Sequence, residues 1–500
     1  MLFAFAALNT EAAVLIVKEY GVNATYSSIS AAITAAANND TIVVYDKPSG
    51  QPWLESLTID KNLTFLNGIQ GGRIKAPGTV TIVPKAGMDL YFIGWDMNGQ
   101  NLGVSATGAT ATSSNRAKIT VTDCINVADI NLNQDWIDAR LFYNQSNVTG
   151  TFIFRHGLAV ANVLANGGIQ IEQESTNAAE NDSIIIVGNK AKWCYVDTRE
   201  AGIVANNYFN NSVSSFGFVP GSSGLVLKGH NSAASAVFGI YNNTILNSIG
   251  GTVTASGSPF YTANTQQIFV NTRIAHGLNP GNTITMSGWN VSNVNGTFSG
   301  ITVTSPTTFS YLTSCSGSTC GNLTYTGGTL TSSSTPSFVA SICFNNTTLS
   351  NVEIVNNLCY STTSNVPLYG IFASSTTGQP FISHNYINAV AAPAGNICTI
   401  SFNNELNYTS TTANAYGTID TWGRAASGNT NLINKGNYLG QYFDVDLTRN
   451  DIGTYGGPYT IDNYINGNTS KARVLYLNIK RQLTNLNQIL NVKGSAGSRF

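Results

Sequence analysis

The sequence predicts an all-β chain whose strands stack as a solenoid, and three observations carry that expectation. Charged residues make up only 10% of the 500, against roughly 25% in an ordinary soluble domain. Mean hydropathy is nevertheless +0.01, so uncharged polar residues fill the gap. Short apolar segments, such as 56–59, 63–66, 80–83, 184–187 and 225–227, alternate with polar turns almost to the C-terminus, which is strand periodicity. Asparagine pairs between apolar flanks then recur: IVANN ends at Asn207, IYNN at Asn243, IVNN at Asn357, and ISHN at Asn385 nearly matches. Asn189 and Asn404 read as degraded copies. The step is 18 residues from Asn189 to Asn207 and 28 from Asn357 to Asn385, and periods near this length mark solenoids.

Asparagine suits such a stack. It tolerates a left-handed bend, and its amide can bond to the same residue one circuit away, so Asn207, Asn243, Asn357 and Asn385 are read as a structural ladder. Stacked circuits satisfy one another's backbone groups, which accounts for the low charge. Residues 1–22 are signal-like, with an apolar run from Leu2 to Leu8, although a first buried strand competes with that reading. A helix is predicted over 25–39, with a Thr/Ser start, Ile29 and Ile33 one turn apart and an Ala-rich body. The β-branched stretch 41–45 follows at once.

These opening segments, YSSISAAITAA from Tyr26, DTIVV from Asp40 and LTIDKNLT from Leu57, resemble the N-terminal cap and first coils of right-handed parallel β-helix proteins. That is the pectate-lyase-like superfamily. The DVDLTRNDIGTYGGP block from Asp444 resembles the closing segment of secreted bacterial β-helix repeat proteins, which usually carry Gly where Leu447 stands. The resemblance implies a right-handed parallel β-helix in two parts, 23–261 with its capping helix and 336–460. Between them, 262–335 reads as an inserted small β-barrel or sandwich with its own turn signals. It resembles the HGL…NGTF…TTF modules of phage tail and bacterial surface proteins. Residues 461–500 are a C-terminal extension, read as the start of a β-domain or an attachment signal.

In a chain this poor in charge, the densest charged stretch of the repeat region runs from Lys190 to Glu200. β-helix polysaccharide lyases abstract a proton beside a uronate carboxylate with a Lys or Arg base, while acids bind Ca²⁺ or a cation neutralises the carboxylate. Lys190, Lys192, Asp197 and Arg199 are therefore the catalytic candidates, with Trp193 and Tyr195 as sugar-stacking residues. A salt-bridged surface is the competing reading. Asp444, Asp446 and Asp451 form an oxygen-rich cluster, a candidate Ca²⁺ site with a structural turn as its competitor. Cys315 and Cys320 flank a short Gly/Ser loop and are candidates for a disulfide if the protein is secreted.

A net charge of -1 and a pI near 6.4 leave no basic footprint for nucleic acid, and no apolar run is long enough to span a bilayer. The expectation is a secreted or surface-displayed protein that binds polysaccharide or another glycan, without a catalytic set. The alternatives are a polysaccharide lyase acting on a uronate polymer, with Ca²⁺ as its cofactor, and a phage tailspike or receptor-binding part, which would form a homotrimer.

Overall fold

The computed structural model describes residues 12–497, apart from 21–23, 69–72, 76–77, 149, 173–182, 199–200, 212–222, 229–236, 248–251, 254–259, 263–266, 272–277, 279, 288, 291, 306–307, 314–329, 333–338, 346–347, 362–367, 375–376, 389–402, 405–406, 411, 413, 463–472 and 480–491. The fold is mostly β, with long parallel sheets of a kind compatible with a parallel β-helix. No helix among the described residues is long and apolar enough to cross a membrane. The chain divides into two compact units, 1–177 with 467–500 and 178–466.

In the first unit, one parallel sheet runs from Val14–Val17 through Asp40–Val44, Leu63–Asn67, Asp89–Ile93, Ala117–Thr122 and Ile137–Phe142 to His156–Val160. A second runs from Leu57–Ile59 to Gly168–Ile171. Alternate residues of each strand face inward and stack in register. Phe65 and Phe92, both fully buried, lie parallel with ring centroids 4.9 Å apart, and Trp95 meets both edge-on. Each such side chain contributes about 1.5–3 kcal/mol by leaving water. The strand Val14–Val17 falls within the signal-like segment and pairs with Asp40–Val44.

The helix covers Ile29–Ala35, shorter than the 25–39 expected, because Ala36 is already extended and Asn39 is left-handed at φ 73. Both its ends are held from other segments. Ser28 accepts from Ala31 N–H, and the Glu55 carboxylate accepts from the amides of Ile29 and Ser30 at 3.0 and 2.8 Å. Lys61 Nζ donates to the carbonyls of Ile33, Thr34 and Ala36 at 2.8–2.9 Å. An acid at the N-terminus and a cation at the C-terminus both oppose the helix dipole, which compensates for a length too short to be stable alone.

In the second unit the chain visits three sheets in fixed rotation. One holds Ser183–Val187, Ala201–Ala205, Phe238–Tyr241, Val352–Val355 and Phe381–Ser383. The next holds Lys190–Ala191, Tyr208–Asn211, Thr244–Asn247, Leu358–Ser361, Tyr386–Asn388 and Tyr408–Ser410. The third holds Trp193–Asp197, Ser223–Lys228, Val339–Asn345 and Leu368–Ser374. The asparagine pairs sit at the bend between the first two, and their two members have different jobs. The first takes the left-handed conformation, at φ 54, 52 and 61 for Asn206, Asn242 and Asn356, with His384 at 53. The second is buried and bonds along the stack. Asn207 Nδ2 donates to Asn243 Oδ1, Asn243 to Asn357 and Asn357 to Asn385, at 3.0, 3.0 and 2.9 Å.

The row extends at both ends. Asn189 donates to Asn207 at 2.9 Å, and Asn385 donates to Asn407 at 3.1 Å. Asn407, not Asn404, continues the ladder, since Asn404 lies within a strand paired to Ile382. The first unit carries the same device at Asn144 and Asn162, linked at 3.0 Å. Those two lack an Asn before them, with Tyr143 and Ala161 taking the left-handed position instead.

Between Thr244–Asn247 and Val339–Asn345 the chain forms two four-stranded antiparallel sheets around their own core, which includes Ile268, Ile284, Trp289, Phe309 and Tyr311. Asn295 of the NGTF motif fixes a turn there by bonding both the N–H and the carbonyl of Trp289 at 3.0 and 2.9 Å. The segment 412–462 is a series of turns laid over the bend row. Asn206 Nδ2 donates to Thr454 O, Asn242 Nδ2 to Asn450 Oδ1 and Asp451 O, and Asn437 N–H donates to Asn356 Oδ1, all within 2.7–2.8 Å. Leu447 adopts φ 67, the conformation that favours glycine at this position. Near the C-terminus, Arg473–Ile479 and Val492–Gly497 form an antiparallel pair.

Candidate functional site

The stretch from Lys190 to Asp197 turns a corner, and this separates the residues expected to act together. Lys190 belongs to a two-residue strand of the second sheet, Lys192 sits at the bend, and Trp193–Asp197 belongs to the third sheet. Two-residue periodicity holds only inside one strand, so Lys190 and Lys192 do not share a strand face. Lys190 Nζ donates to Thr421 O at 2.8 Å and lies 4.8 Å above the Trp422 ring, which clamps the closing segment. Burial lowers the pKa of both lysines. Trp193 is 3% exposed, so its ring is covered and offers no stacking surface. Arg199, Cys315 and Cys320 lie outside the described residues.

Asp197 and Tyr195 do enter a cluster, but with a cation from the following circuit. Register pairs Asp197 with Lys228 and Tyr195 with Val226. Lys228 Nζ stands 3.0 Å from Asp197 Oδ2, and Tyr195 OH donates to the same oxygen at 3.2 Å. The Asp197 side chain is 10% exposed, and its Oδ1 has no hydrogen-bond partner among the described residues. Cys194, Val196, Leu225, Leu227, Ile342 and Phe344 fill the inward face, so these groups line the opposite one. There Tyr195, Val226, Cys343 and Phe372 pack as an apolar cluster across four strands, with Val226 and Cys343 buried at 4% and 1% exposure and Tyr195 and Phe372 partly buried. Asp197 and Lys228 pair in register beside them.

The three acidic metal candidates lie at the closing segment, bordering a cavity of about 800 Å³. Each is held by backbone amides in the manner of a turn. Asp444 Oδ1 accepts from Gly457 and Asp451 at 2.5 and 3.3 Å, Asp451 Oδ1 from Asn434 at 2.7 Å, and Asp446 Oδ1 from Thr448 at 3.0 Å. Among the described residues, no three His, Cys, Asp or Glu side chains come together in a way that could hold a metal. A Ca²⁺ site needs several oxygens converging on one point. Burial pushes the Asp444 carboxyl up to about 7, aided by the charges of Asp451 and Asp446 and opposed by its amide donors. Sequence reasoning missed that Asp420, Arg424, Tyr455 and Asp462 border the same cavity.

Comparison with protein-family models, with curated proteins and with solved structures gave no match.

Proposed function

We propose that the chain is a secreted or surface-displayed right-handed parallel β-helix of the pectate-lyase-like kind, capped by its N-terminal helix and interrupted by an inserted β-module, and that it binds an extended glycan. The observation that carries this reading is the side of the third sheet opposite its Leu225 and Leu227 core, where the half-buried Tyr195 ring stands beside Asp197 and Lys228. Phe372, also half-buried, belongs to the same apolar cluster, whose Val226 and Cys343 are buried, so what this surface offers is an aromatic face beside a polar edge. Sugars present that same pairing, an apolar ring face beside hydroxyl edges. Asp197 Oδ1, buried and without a partner among the described residues, is an acceptor that a ligand hydroxyl would satisfy, and leaving it empty costs about 1–3 kcal/mol.

The test is a glycan array probed with the full chain, with Tyr195→Ala and Lys228→Gln as variants. Binding that falls about ten-fold or more in both variants, equivalent to ~1.4 kcal/mol, supports the reading. Silence across neutral and acidic polysaccharides overturns it. Release of unsaturated uronate from pectate or alginate, abolished by Lys228→Gln, would replace it with a lyase.

A further inference from the structure

We propose that the first unit carries a second glycan site, built on Asp89, Tyr91, Lys118 and Thr120 and selective for an uncharged sugar. This rests on the reading of Tyr195, Asp197 and Lys228 as a glycan-binding surface, and extends it to another sheet. The two groups are built alike. In each, a tyrosine and an aspartate stand two residues apart on one strand, and the phenol donates to Asp Oδ2, at 3.3 Å for Tyr91 and Asp89 and 3.2 Å for Tyr195 and Asp197. The other carboxylate oxygen is buried in both, without a hydrogen-bond partner among the described residues. Register then sets a lysine of the next strand opposite the aspartate, Lys118 for Asp89 and Lys228 for Asp197.

The first unit's copy adds a hydroxyl. Thr120 lies between Tyr91 and Arg140 in register. It is 6% exposed, and its Oγ1 has no partner among the described residues. Ile119 and Val121 on either side of it fill the core, so strand alternation puts Thr120 on the same side as Tyr91. A buried hydroxyl without a partner is costly, and a sugar hydroxyl would satisfy it. Lys228 is held 3.0 Å from Asp197 Oδ2, whereas Lys118 is exposed and no carboxylate among the described residues holds it.

Charge selects the class of sugar. Lys118 and Arg140 balance Asp89 and Asp138, their neighbours on these three strands. Arg140 commits Nε and Nη2 to Asp138 Oδ2 at 3.2 and 2.9 Å, which leaves its Nη1 as a donor and Asp138 Oδ1 as an acceptor. Donors and acceptors of no net charge match hydroxyls, which do both. The half-buried Tyr91 ring offers a face to the apolar side of a pyranose. A uronate would bring its carboxylate against two aspartates.

Calorimetry on the full chain with cellohexaose, maltohexaose and hexagalacturonate tests this. Expected are two sites per chain for a neutral hexaose, and binding of hexagalacturonate weaker by about ten-fold or more. Tyr91→Ala and Tyr195→Ala should each leave one site. Thr120→Val removes the unpaired hydroxyl and keeps the branched shape, so it should melt at or above the parent and still weaken one site about ten-fold. A purely structural Thr120 would leave the affinity unchanged. One site that Tyr195→Ala removes, and that Tyr91→Ala and Thr120→Val leave intact, overturns this proposal while the glycan reading stands. Tighter binding of hexagalacturonate, or no heat with either neutral hexaose, also overturns it. Silence across the glycan array overturns the reading beneath it as well.

Discussion

Two adjacent asparagines with nearly the same chemical surroundings differ sharply in what their loss should do. Asn243 is fully buried, accepts from both the amide and the side chain of Asn207, and donates to Val204 O and Asn357 Oδ1. Asn243→Ala strands several buried polar groups at about 1–3 kcal/mol each, so a loss of about 3 kcal/mol or more is expected in chemical denaturation. Asn242 instead supplies the left-handed bend and three contacts to the closing segment. Asn242→Gly keeps the bend at little conformational cost and loses only the docking. Faster amide exchange over 450–457 with a smaller global loss, about 1 kcal/mol, is the expected result. Equal destabilisation by the two variants would mean the division of labour is wrong. The recurrence of the pair was visible in sequence. The split between its members was not, because both residues satisfy the same pattern and both are buried, and only the φ angles and hydrogen-bond partners separate them.

At the scale of the element, the closing segment behaves as a strap whose hold depends on charge. Asp444 anchors it by accepting from Gly457 and Asp451, yet its carboxyl titrates at about 7, far above the ordinary 3.8. A raised carboxylate pKa means the folded state retains a proton that the unfolded chain has lost. Stability from this group is thus complete below pH 4, declines as pH rises toward 7, and levels off above it. Asp444→Asn keeps the acceptor and removes the charge, so it is expected to match the parent at pH 4 and exceed it at pH 8. The gain should be only about 1 kcal/mol, because the carboxyl is partly exposed and screened. Thermal melts at the two pH values check the sign, and a variant weaker than the parent at pH 8 would refute it. Asp444, Asp446 and Asp451 were legible as an oxygen-rich run. Their cavity was not, because Asp420 and Arg424 reach it from an earlier turn of the same segment. The pairing of Lys228 with Asp197 was not legible for a similar reason: the two meet only through the register of neighbouring strands.

Across the whole molecule, the parallel register of the second unit steps over the antiparallel segment as though it were absent. Ser223–Lys228 pairs directly with Val339–Asn345, and Thr244–Asn247 with Leu358–Ser361. The segment enters and leaves through adjacent strands, with Thr252 opposite Thr331 and Val253 opposite Leu330. Its entry and exit are therefore one strand spacing apart, about 5 Å, a gap that a few residues close at low entropic cost. Its core of Ile268, Ile284, Trp289, Phe309 and Tyr311 draws on none of the Asn ladder. Replacing 248–338 with a short Gly/Ser linker should leave one cooperative unfolding transition, because every parallel pair that flanks the cut is retained. The excised segment, expressed alone, should show its own transition from burial of that core. Calorimetric scans of the parent, the shortened chain and the isolated segment check both halves. If the shortened chain melts without cooperativity, the segment is part of the stack rather than a module carried by it, and the two-part reading of the surrounding repeats fails with it.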